Sequence, residues 1–193
     1  MKKLLALTLC AALLLGTLLL TACGDTDEAP DGYQYASDND ACKYKMLVPS
    51  AWHVKQDSES DFSSATIGTA DTCNVSVANL TFFAEDMGAY WSQQVPTYRA
   101  IFGDSFKVVS EGTDKDGNAV EWELVDIAET KGYRYIFTAS FNGKDYKVMQ
   151  IYFGDFSLLS TDVYCLTYTA TADHYDTHLE DIQNVIKMLK FDN

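Results

Sequence analysis

The chain has 193 residues, 47% of them hydrophobic and 13% aromatic, and 14 Lys+Arg face 28 Asp+Glu for a formal charge of −14. That length and apolar content suffice for one domain with a substantial core. A field this negative repels nucleic-acid phosphates and anionic headgroups, which argues against a nucleic-acid role.

The first segment reads as an export signal. Lys2 and Lys3 give a short basic start, and Leu4 to Leu20 is a 17-residue uncharged run holding Thr8, Gly16 and Thr17. A bilayer span needs about 20 apolar residues, so a cleavable signal core over residues 1–22 is the expected reading. The run closes on Leu20-Thr21-Ala22-Cys23. This resembles the lipobox of bacterial lipoproteins, which implies that Cys23 is lipidated and becomes the first mature residue. Two or three acyl chains, rather than a spanning helix, would then hold the protein at the extracytoplasmic face of the membrane.

Residues 23–33 read as an acidic tether. Gly24 to Gly32 carries four acids, two glycines and a proline without periodicity, and nine extended residues reach about 30 Å. Cleavage would remove two lysines and no acids, leaving 12 Lys+Arg against 28 Asp+Glu, a charge of −16. The bland meaning of that acidity is solubility; the functional one is attraction of a cation or a basic partner.

Residues 34–193 form the expected single domain. Cys42 to Val48 reads as a strand stopped by Pro49, and Ser64 to Gly68 and Asn74 to Thr81 as two more. The period then changes. Met87, Tyr90, Trp91, Gln94, Val95, Tyr98, Ile101 and Phe102 recur every three or four residues, an amphipathic helix with Pro96 inside and Gly103 at its end. Strands follow at Phe106–Ser110, Val120–Ala128, Tyr133–Phe141, Asp145–Phe153 and Asp162–Ala170. Asn142-Gly143 marks a tight turn between the third and fourth of these. A closing helix is expected from about Asp173 to Leu189, with Tyr175, Leu179, Ile182, Ile186 and Leu189 on its apolar stripe. Two helices with apolar stripes must bury them on the sheet, which makes the fold class α+β.

Several segments in this order resemble the Mog1/PsbP fold family. They are Val48-Pro49-Ser50-Ala51-Trp52, Gly143 to Lys147 with Gln150 beyond it, Tyr164 to Ala170, and the tail Lys190-Phe191. The resemblance covers nearly all of the mature chain. It implies an α/β/α sandwich used by binding and assembly factors, and it implies no common reaction or site residue.

Cysteine use fits export. Cys10 leaves with the signal and Cys23 is the lipidation site, so Cys42, Cys73 and Cys165 remain where disulfides persist. Cys42 and Cys73 open successive expected strands and could bridge them. Cys165 lies in an apolar strand and reads as a buried thiol.

Three motifs invite chemistry. Gly103-Asp104-Ser105-Phe106 resembles the nucleophile block of GDSL-type esterases, but neither His174 nor His178 has the Asp three residues earlier that the family pairs with its base. His174 and His178 are four apart on the expected closing helix, a spacing that can bind zinc; projection places His178 inside the apolar arc, so packing is the simpler role. Asp114-Lys115-Asp116-Gly117-Asn118 begins like a calcium loop, yet position 12 is Val125 rather than a bidentate Glu, and Asp116-Gly117 reads as a β-turn. The expectation is therefore no catalytic residue, no cofactor and no metal. A lipid-anchored binding or assembly module with an envelope protein partner is favoured. A solute- or cation-binding lipoprotein and an envelope hydrolase are the alternatives.

Overall fold

The computed structural model describes residues 28–37, 43–56, 62–67 and 73–191. The strands are β1 (Tyr33–Tyr35), β2 (Tyr44–Lys45), β3 (Leu47–Pro49), β4 (His53–Gln56), β5 (Phe62–Thr66), β6 (Asn74–Leu80), β7 (Lys107–Val108), β8 (Gly112–Thr113), β9 (Ala119–Val120), β10 (Glu123–Ile127), β11 (Thr130–Phe141), β12 (Lys144–Gly154), β13 (Val163–Thr171) and β14 (Lys190–Phe191). Among the described residues, two α-helices join them, α1 (Met87–Phe102) and α2 (Leu179–Met188).

The central antiparallel sheet runs β10-β11-β12-β13-β6-β5-β4, and β7 pairs with β11. Its register explains the two layers. Phe137 lies beside Val148, and Tyr135 beside Gln150. Tyr152 lies beside Cys165, and Cys165 beside Ala78. These residues share one face. The alternate residues Met149, Ile151, Phe153, Tyr164, Leu166 and Tyr168 form the other, because side chains along a strand alternate. The second face takes Ile182 and Val185 of α2 and Leu189 just beyond it. The first takes Met87 and Trp91 of α1. The fold class is thus the expected one, α+β, with helices on opposite faces of an antiparallel sheet.

Local chemistry fixes the elements. The Asp86 carboxylate accepts from Ala89 N at 2.7 Å and caps α1. Gly103, at φ +58°, closes it. Asn142 and Gly143 both take positive φ between β11 and β12, as a two-residue hairpin requires. Pro96 lies within α1, which continues through it.

The structure also departs from the expectations. The closing helix does not start at Asp173. Tyr175–His178 is a 3-10 turn, and α2 begins at Leu179. The Val120–Ala128 strand is broken at Glu121 and Trp122, and Leu124 on β10 is 54% exposed. Ala128 and Glu129, both at positive φ, make a second tight hairpin between β10 and β11. Phe106–Ser110 contributes only Lys107–Val108 as strand, because the Val109 and Ser110 amides both reach the Ile136 carbonyl instead of continuing the ladder. Cys42 and the turn at 69–72 lie outside the described residues.

Candidate functional site

α1 is too short to roof its whole face of the sheet, and its two halves do different things. The N-terminal half is pinned. Trp91 stacks on Tyr135 with centroids 4.0 Å apart, and its Nε1 donates to Glu121 at 3.2 Å. The C-terminal half leans over the sheet with a gap beneath it. Tyr98, Ile101 and Phe102 of α1, Phe137, Ala139 and Phe141 of β11, Tyr146, Val148 and Gln150 of β12, and Thr167 and Thr169 of β13 line an open groove of about 370 Å³. Ile101 and Phe141 are 56% and 50% exposed at its rim.

The floor has one fixed polar point. Gln150 Oε1 accepts from Tyr98 Oη at 3.0 Å and from Tyr152 Oη at 2.9 Å. Burial pushes both phenols up from their ordinary value, so they serve as neutral donors. Behind Tyr152, burial pushes the Cys165 thiol up to about 11, leaving no thiolate near neutral pH. The lining contains no carboxylate, histidine, lysine, arginine or cysteine. Such a groove can bind apolar surface through area, and its lining carries one amide and the hydroxyls of Tyr98, Tyr146, Thr167 and Thr169 for orientation.

The residues flagged in the sequence lie elsewhere. The Ser105 hydroxyl donates to the Phe102 carbonyl at 2.6 Å and accepts from Ser140 N at 2.9 Å. Both partners are main-chain groups, and the serine staples the end of α1 to β11. His174 and His178 do not share an α-helix, since His178 ends the 3-10 turn that His174 precedes. His174 Nδ1 lies 3.3 Å from Thr171 Oγ1, and His178 Nδ1 lies 3.9 Å from an Asp181 oxygen. Among the described residues, no three His, Cys, Asp or Glu side chains converge as a metal site. The Asp114 carboxylate accepts from Asp116 N, Asn118 N and Asn118 Nδ2. These bonds, led by that of the Asn118 side chain, hold its pKa below the ordinary value. Its lone pairs are spent on the β8–β9 turn. Cys73 is fully buried before β6, while Cys23 and Cys42 lie outside the described residues.

The three–four spacing of Ile101 and Phe102 on α1 marked them for burial against the sheet, and no local signal in the sequence marked the groove they line.

Neither a protein-family model nor a curated protein matches this chain. Among solved structures, similarity extends to LpqN of Mycobacterium tuberculosis, described as involved in cell envelope biogenesis. The two are 11% identical over 84% of this chain and 93% of that one, with a TM-score of 0.49. A protein of unknown function from Pseudomonas aeruginosa is 10% identical over 81% and 94%, with a TM-score of 0.48. A Mog1 variant is 7% identical over 77% and 90%, with a TM-score of 0.45. No helix among the described residues is long and apolar enough to cross a membrane.

Proposed function

We propose that this chain is a lipid-anchored, extracytoplasmic module that binds a protein partner at the cell envelope and catalyses no reaction. The lipobox-like Leu20-Thr21-Ala22-Cys23 supports the anchor, and the groove under α1 supports the binding role. The carrying observation is the groove's lining: apolar side chains from two strands and one helix, two threonines from a third strand, and a single carboxamide oxygen already satisfied by two tyrosines. A partner offering an apolar side chain or short segment matches that surface. A small cationic or glycan solute would call for convergent polar groups, and the lining supplies few.

The test is site-specific photo-crosslinking in intact cells of the native host. A photoreactive residue at Ile101, on the rim, should give one discrete adduct. The same residue at the exposed Lys187 on α2 should not, and Phe141→Asp should abolish the Ile101 adduct. Equal adducts at both positions would remove the groove from the binding role. Anchoring is tested separately by intact mass of the membrane-extracted protein. An acylated chain beginning at Cys23 is expected, and Cys23→Ser should yield a chain without acyl groups.

A further inference from the structure

Two loops at one end of the sheet present large apolar side chains to solvent. Phe83 is 62% exposed, and Leu158 and Leu159 are each 64% exposed. The loops are tied together: Phe82 N donates to the Ser160 carbonyl and Leu159 N to the Phe82 carbonyl, both at 2.9 Å. Phe82 itself is buried against Tyr90 and Phe156. Ser157 N and Oγ donate to the Asp155 carboxylate, and Ser160 N closes a turn on the Ser157 carbonyl. Leu159 is held at φ +67°, a region a leucine rarely adopts. A rigid loop thus spends backbone strain to hold an apolar side chain outward, and such strain marks functional positions.

The position of the tether says what covers this tip. Pro30 lines a recess with Glu129, Leu189 and Lys190. The next residues, Thr130 and Phe191, line a neighbouring recess with Gly154, Asp155 and Asp162. Gly154 pairs with Val163, and Val163 with Leu80. The start of the domain, the Ala128-Glu129 hairpin, the 155–162 loop and the exit of β6 therefore share one end of the sheet. Only six residues lie between Cys23 and Pro30, so the seven Cα steps span at most about 25 Å of extended chain. The Asn142-Gly143 hairpin, next to Phe141 at the rim of the groove, lies at the opposite end.

We propose that Phe83, Leu158 and Leu159 form a membrane-seating tip, which enters the headgroup–acyl boundary of the bilayer that holds the tether and turns the groove outward. This rests on the reading of Cys23 as lipidated. Three side chains alone give a shallow, reversible contact; a second anchor makes it persistent. The acids near the tip, Glu85, Asp86, Asp155 and Asp162, favour uncharged over anionic lipid.

The test uses the full lipidated chain in phosphatidylcholine vesicles, with a nitroxide-bearing amino acid at position 158 or, as a control, at the exposed Lys144. At 158, collisions with oxygen should rise several-fold over those with a water-soluble nickel complex; at 144 they should not. Phe83→Ser with Leu159→Asn should cancel the rise without moving the thermal midpoint. A vesicle-bound chain of confirmed acyl mass whose position 158 is as wet as 144 overturns the tip while leaving the anchor standing. A chain without acyl groups overturns both, and the mass spectrum tells the two failures apart. Spin–spin broadening at 158 that persists without vesicles would assign the tip to a second copy and overturn the proposal.

Discussion

Tyr98 on α1 and Gln150 on β12 are joined by a 3.0 Å hydrogen bond from the phenol to the carboxamide oxygen, which also accepts from Tyr152. One side chain of the sheet therefore positions two tyrosines beneath the leaning half of the helix. Removing the acceptor should cost more than removing a donor, because a buried donor left alone loses its full hydration. Tyr98→Phe should cost about 1 kcal/mol, and Gln150→Leu about 1–3 kcal/mol, chiefly through Tyr152. Adding Tyr152→Phe to Gln150→Leu should recover part of that loss. Urea unfolding of the four proteins measures it, and a double variant no more stable than Gln150→Leu would contradict the assignment.

Gly154 should tolerate no side chain. Its φ is +117°, and a Cβ there would stand 2.1 Å from the Asp162 carbonyl oxygen. Gly154→Ala is expected to cost about 3 kcal/mol or more, or to prevent folding. Gly117, at φ +86° with nothing within 4 Å of a Cβ, gives the contrast. Gly117→Ala meets backbone strain alone, about 1 kcal/mol. Equal thermal shifts for the two variants would count against the β12–β13 geometry.

Alkaline pH should destabilise the domain in a defined window. Burial raises the Cys165 thiol from 9.0 to about 11 in the folded chain. Below pH 9 both states keep the proton and stability is flat. As pH rises from 9 towards 11, the unfolded chain releases it first, so stability falls, by about 3 kcal/mol at most from this group. Tyr90, raised by burial to about 12, extends the decline upward. Cys165→Ala should flatten the first part of the curve. Urea midpoints at pH 8 and pH 10 decide it: the native chain should lose more between them than the variant.

Thiol labelling should separate the cysteines. Cys165 is buried with a raised pKa, so it should resist alkylation in the native state and react after denaturation without reductant. A Cys42–Cys73 bridge, the pairing that successive strands allow, would keep both of those silent until reductant is added. Peptide mapping after each treatment reads this out. Labelling of Cys73 in urea alone would remove the bridge.

Much of the layering was legible because periodicity is local. The alternation from Tyr133 to Phe141 and the Asn142-Gly143 turn specify one hairpin by themselves, and the three–four stripe from Met87 to Phe102 specifies α1 despite Pro96. What escaped depended on partners distant in sequence. β1, β4 and β14 span two to four residues, too few to show a period, and exist because neighbouring strands pair with them. The hairpin at Ala128-Glu129 carries no glycine or asparagine to announce positive φ. The split of the closing segment at His178 follows from docking Tyr175 in the core, where Tyr168 Oη donates to its carbonyl at 2.8 Å. The groove exists only through the offset between α1 and the sheet, a relation that no stretch of sequence contains.

Pro96 gives that offset a mechanical meaning. Its ring offers no N–H to the Ser92 carbonyl one turn back, so the helix lacks a rung between Trp91, locked on Tyr135, and Tyr98, which overhangs the groove. The joint falls where a stiff rod would otherwise couple cleft to core. Beyond the missing rung the helix is held to the sheet by the Tyr98–Gln150 bond and the Ser105 staple, and hydrogen exchange should register the break as faster amides just beyond residue 96.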